Sequence, residues 1–96
     1  MSKLTIVANI VAKQEHVDLV KSELIKLIDK TRAEQGCINY DLHQDNDNPA
    51  HFIFYENWAS SQALDNHLAS SHIAQYSEAV VDAVESFTLN RMTQIS

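Results

Sequence analysis

Glycine, proline and cysteine each occur only once in these 96 residues. Gly and Pro supply the backbone angles of turns and irregular connections, so their scarcity implies short loops and a highly ordered chain. No linker, repeat or low-complexity segment is visible. The lone Cys37 cannot close an intrachain disulfide, and the composition suits a reducing cytoplasm. Lys and Arg are also few: 7 against 13 Asp and Glu, a net charge of −6 with no basic cluster. Phosphate backbones need concentrated cations, so no nucleic-acid partner is expected. No apolar run approaches the ~20 residues of a membrane span, so no membrane insertion is expected. Met1-Ser2-Lys3 leads into an alternating pattern, and no signal peptide is read. Gly-rich phosphate loops, G-x-S-x-G, H-E-x-x-H and paired cysteines are all missing, which removes the usual nucleotide, serine-hydrolase and zinc-protease signatures.

What remains reads as one domain over residues 1–96. A chain of this size buries only about 60–65% of its unfolded surface, so self-association would be a natural source of stability. Lys3 to Ala12 alternates with apolar residues on both faces, which predicts a central strand. Asn9 is its anomaly, since a buried amide without partners costs about 1–3 kcal/mol. Gln14 to Gln35 predicts one long helix, with Val17, Val20, Leu24, Leu27 and Thr31 in a single stripe widened by Ile28. Gly36 sits where a helix-ending glycine belongs. His16 near the start reads as a solvated residue. Cys37 to Asp45 predicts a second strand carrying Tyr40, and Ala50 to Trp58 a third that pairs back as a hairpin. Between them, Asp45-Asn46-Asp47-Asn48-Pro49 is a turn by composition. It lacks the glycine and distal glutamate of a calcium loop, so no metal is expected there. Ser86 to Ile95 predicts the last strand.

The densest chemistry lies between Phe52 and Tyr76. Phe52-Ile53-Phe54-Tyr55-Glu56-Asn57-Trp58 is an apolar, aromatic strand ending on the only tryptophan. Ser60 and Ser61 offer N-caps to a helix carrying Leu64, His67 and Leu68, and Ser70-Ser71 breaks it before His72, Ile73, Tyr76 and Val80. A strand-end Trp is ordinarily core, and a single His is ordinarily structural. Indole, imidazoles and phenols converging under a sheet would instead line a pocket for a flat organic molecule. His67 and His72 are five residues apart across a serine break, so metal ligation by the pair is not signalled. No metal site is expected.

Glu56-x-Trp58, then Leu64-x-x-His67-Leu68, then Ser71-His72-x-x-x-Tyr76 resembles the antibiotic biosynthesis monooxygenase family. The Glu34-Gln35-Gly36-Cys37 junction and the βαββαβ order resemble it too. That resemblance implies an α+β, ferredoxin-like fold with the second helix split, two copies joining sheet to sheet as a dimeric α+β barrel. It implies oxidation of a small quinol or phenol by O2 without metal, flavin or haem. Asn9 would hold an oxyanion beside Trp58, which stacks on the substrate ring, and His67 or His72 would accept the proton. Tyr76, Leu64, Tyr40 and Phe54 would complete the substrate pocket. Two other outcomes fit the same fold. One is proton-transfer chemistry on a small phosphorylated signalling sugar of the autoinducer-2 type, and the other is a non-enzymatic ligand-binding dimer.

Overall fold

The first strand, β1 (Leu4–Ala12), buries Ile6, Ala8, Ile10 and Ala12 on one side and leaves Val7, Asn9 and Val11 half-buried on the other. This is a computed structural model, and it describes residues 3–96. β1 is flanked by β3 (His51–Trp58) and β4 (Val84–Met92), and β2 (Cys37–Gln44) lies outside β3. The sheet runs β2-β3-β1-β4 with every paired neighbour antiparallel. Three helices, α1 (Val17–Arg32), α2 (Ser61–Leu68) and α3 (Ser71–Ala79), complete the expected βαββαβ order with its split second helix. The fold is therefore α+β and ferredoxin-like, built on an open four-stranded sheet.

Burial assigns the faces. Phe52, Phe54, Glu56 and Trp58 of β3 point to the side where Val20, Leu24, Leu27 and Thr31 of α1 are buried. Tyr40 lies flat on Phe54 with ring centroids 4.2 Å apart. Trp58 is wholly enclosed, and truncating such a residue typically costs about 3–5 kcal/mol. The opposite face is not the apolar surface that strands apolar on both sides would suggest. Thr5 donates to Asn57 at 2.6 Å, Asn57 to Asn39 at 2.8 Å, and Asn39 to Asp41 at 3.1 Å, a polar chain across three strands. Val7, Val11, Ile53 and Tyr55 share that face with it.

The long helix expected over Gln14 to Gln35 is shorter at both ends. A 3₁₀ turn, Gln14–His16, comes first, and the helix proper begins only after His16, whose φ of −123° is not helical. At the other end the ladder tightens: the Glu34 amide bonds to the Thr31 carbonyl at 3.0 Å, a turn of three rather than four. Gly36 then takes a φ of 89°, the left-handed conformation that glycine adopts freely. Because the helix stops at Arg32, Glu34 lies on a turn and can reach under the two short helices. Smaller differences are a fourth strand that runs from Val84 to Met92 rather than Ser86 to Ile95, and hairpin strands a residue shorter at the turn.

Candidate active site

Two serines build the region that carries the histidines. Ser60 accepts from the Ala63 amide and starts α2, and Ser70 accepts from the Ile73 amide and starts α3. Ser70 Oγ also donates to the His67 carbonyl at 2.6 Å, tying the end of one helix to the start of the next. His67 thus sits in the last turn of α2 and His72 in the first turn of α3. Both rings reach the same carboxylate oxygen: His67 Nδ1 lies 2.8 Å and His72 Nε2 2.6 Å from Glu34 Oε2. A carboxylate oxygen only accepts, so each of those nitrogens carries its proton and His67 Nε2 is left as a bare acceptor. Among the described residues it has no partner, and it is not sealed from solvent, so it opens onto the cavity that His67 lines.

The His67 ring is packed as well as bonded. Trp58 lies against it at 4.8 Å between centroids, and Tyr40 meets it edge-on at 5.4 Å. Burial pushes its pKa down, with the Glu34 hydrogen bond and charge opposing, so the neutral, basic form is favoured at working pH. Glu56 is the second titratable group in the wall. Only 3% exposed, it accepts from Trp58 Nε1 at 2.9 Å through one oxygen. Burial raises its pKa to about 7, the Trp58 hydrogen bond pulling down and the charge of Glu34 pushing up. Burial also lifts Tyr40 far above the usual phenol range and Tyr76 to about 12, so both stay protonated. Burial, then Glu34, push the Cys37 thiol up, which leaves it a poor nucleophile.

The cavity between helices and sheet measures about 500 Å³. Ala8, Ile10 and Phe54 form its floor, Leu24, Leu27, Ile73 and Tyr76 its roof, and Tyr40, His67 and Glu56 its polar end. Phe87 and Val81 stand exposed at the rim. No lysine or arginine is among the lining residues. Of the side chains expected here, His67, Tyr76, Tyr40 and Phe54 line it. Trp58 and Leu64 are fully buried behind the wall, and Trp58 acts on the cavity through His67 and Glu56. His72 faces away, into a second cleft of about 80 Å³ shared with Lys26, Lys30 and Tyr76.

Asn9 is not part of this site. The period of two puts Ala8 and Ile10 on the helix side and Asn9 on the open face, where its Cα partner in β3 is Ile53. Trp58 pairs with Leu4, five residues and roughly 17 Å further along the strand. Asn9 Oδ1 instead meets His51 Nε2 at 3.0 Å, and His51 Nδ1 faces Asp45 at 3.2 Å. Conversely, Glu34 and Glu56 belong to the site and were not among the expected residues. Glu56 left a signal, since it interrupts the core-facing set Phe52, Phe54, Trp58 with a carboxylate. Glu34 left none, because its position depends on how the helix ends. Glu34, His67 and His72 also form the grouping, among the described residues, whose donor atoms could meet one cation, all within 4.8 Å of one another. A cation there would have to displace both ring protons from the carboxylate.

Comparison with known proteins adds independent support. The sequence model of the antibiotic biosynthesis monooxygenase family matches residues 3–79. A Mycobacterium tuberculosis protein bearing a provisional monooxygenase name is 31% identical over 75 residues, 78% of this chain and 73% of its own. A Pseudomonas aeruginosa crystal structure superposes with a TM-score of 0.96 at 29% identity, covering 100% of this chain and 97% of the other. A crystal structure of an antibiotic biosynthesis monooxygenase is 32% identical with a TM-score of 0.90, covering 97% of this chain and 99% of that one.

Proposed function

The chain belongs to the antibiotic biosynthesis monooxygenase family, and from that premise we propose that it oxidises a small quinol or phenol with O2 without a bound cofactor. The observation that carries this reading is the His67–Glu34 pair at the end of an apolar cavity, with one imidazole nitrogen held and the other free. His67 Nε2 takes the hydroxyl proton of the substrate, and Glu34 holds the ring in the tautomer that makes this nitrogen basic and stabilises the imidazolium formed. The electron-rich anion then reduces O2. One oxygen atom ends on the aromatic carbon as a quinone carbonyl, and the other leaves as water with two substrate hydrogens. The apolar wall keeps bulk water from the anion. Asn9 has no role in this scheme, and His72 holds Glu34 in place rather than meeting the substrate.

The lining also separates the alternatives. A phosphorylated sugar would bring its negative charge to a wall whose acidic members are Glu56 and Glu85, with no Lys or Arg to meet it. The cavity favours a neutral aromatic over that substrate. A homodimer through the open sheet face is part of the same reading. Val7, Val11, Ile53 and Tyr55 would lie against a second copy, closing two sheets into a barrel. A cytoplasmic location accords with the single unpaired thiol.

The test is oxygen uptake over a panel of quinols and naphthols, run beside phosphorylated sugars followed by NMR. Uptake with one or more hydroxyaromatics is expected, and His67→Gln should lower kcat by about 10²–10⁴-fold, the contribution of a general base. Conversion of a phosphorylated sugar with no oxygen consumption would sink the oxygenase reading.

A further inference from the structure

The scheme above leaves the developing oxyanion without a partner, and the cavity contains a group suited to it. We propose that Glu56 is a catalytic residue, its carboxylic acid donating a hydrogen bond to the substrate oxygen that becomes negative. This rests on the hydroxyaromatic reading of the cavity and adds the group that stabilises its anion.

The geometry supplies the argument. Glu56 is on the helix-facing side of β3 and in the cavity wall with His67. Trp58 Nε1–H fixes one carboxyl oxygen at 2.9 Å, so the group is held rather than free to swing. The other oxygen has no partner among the described residues and is not sealed off, which leaves it facing the cavity. A carboxylate in that position would be costly, because it has an apolar setting and no cation at hand. Lining the same cavity are Tyr40 from β2, His67 from α2, Tyr76 from α3 and Glu85 at the rim, and the charge of Glu34, on the turn after α1, also acts on Glu56. None of these offers it a positive charge before His67 accepts a proton. Burial first, and Glu34 next, therefore keep much of Glu56 in the acid form up to about pH 7. A neutral carboxyl in an apolar site is a strong donor to an oxyanion, whereas a second carboxylate would repel it. The proton balance is simple. The substrate proton goes to His67 Nε2, and Glu56 keeps its own proton while sharing it.

2-Naphthol is a suitable probe, because naphthol and naphtholate absorb differently and binding can be followed without oxygen. Bound naphtholate is to be measured against pH for the wild type, Glu56→Gln and Glu56→Leu. The wild type should stabilise the bound anion, and that stabilisation should fade as Glu56 ionises through about pH 7. Glu56→Gln, whose amide still donates, should stabilise the anion with no such fading. Glu56→Leu should weaken it by about 10²-fold, the scale of one oxyanion donor. Equal stabilisation in wild type and Glu56→Leu would overturn the proposal, as would a Gln variant that fades like the wild type. If none of the three folded proteins binds 2-naphthol, the hydroxyaromatic reading itself fails, and Glu56 loses its role with it.

Discussion

Glu56 makes a prediction that needs no substrate at all. Its carboxyl has an ordinary pKa of 4.5 and rises to about 7 in the fold, from burial first, against the Trp58 hydrogen bond and with a push from Glu34. At 1.36 kcal/mol for a factor of ten, that difference corresponds to about 3 kcal/mol. The sign follows from where the proton is held more tightly. The folded state binds it better, so this contribution to stability is full below 4.5 and is lost as pH rises through about 7. His67 works the other way: burial lowers its pKa, so folding gains from it as pH rises. The two are separated by comparing wild type with Glu56→Gln, which keeps the acceptor for Trp58 Nε1–H and removes only the titration. Urea unfolding at fixed protein concentration, followed by the fluorescence of the single tryptophan, gives both stabilities across the range. The wild type should lose up to about 3 kcal/mol relative to the variant between pH 4.5 and about 7. The difference should survive added salt, because the group is only 3% exposed. Parallel curves for the two proteins would refute the claim that the fold holds this proton.

Two further predictions concern the scaffold. A Cβ at Gly36 would approach Ala63 Cβ to 2.5 Å at a φ of +89°. Gly36→Ala should therefore destabilise by more than about 2 kcal/mol, counting left-handed strain and the clash. Ala63→Gly should cost about 1 kcal/mol alone as a helical glycine yet recover stability in the Gly36→Ala background. Additive losses in denaturant melts would mean that the close approach is not the cause. Separately, sedimentation at micromolar concentration should show a species near twice 10.8 kDa; a clean monomer there would remove the sheet-to-sheet dimer.

The fold was legible because two periods carry it. The helical stripe Val20, Leu24, Leu27 and Thr31 and the period-two sets of Phe52–Trp58 and Phe87–Arg91 each specify a face, and serines mark the helix starts. The strand that misled is the one where the period says least. Leu4–Ala12 is apolar on both sides, so alternation alone cannot say which set meets the helices. Pairing with β3 decides it, and that places Ala8 inside and Asn9 outside. Glu34 was hidden for a different reason. Read as the last turn of a long helix, it would have pointed wherever the helix phase sent it. The tightened turn after Arg32 redirects it, and nothing local in the sequence announces a three-residue closure. Glu56 was readable from position alone, as a carboxylate in a core-facing register.

The break between α2 and α3 does more than shorten a helix. On one continuous α-helix, residues five apart are turned roughly 140° from each other, so His67 and His72 could not meet a common partner. Ending the first helix at Leu68 and restarting at Ser71 brings the two rings to 5.9 Å and aims both at Glu34. Ser70 makes this geometry definite, donating to the His67 carbonyl while capping the helix that carries His72. One imidazole then faces the cavity and the other the outer cleft, with a single carboxylate between them. The same carboxylate oxygen accepts from both rings, so His72 and His67 share one anchor. The orientation of His67 therefore rests in part on Ser70, a residue that does not line the cavity.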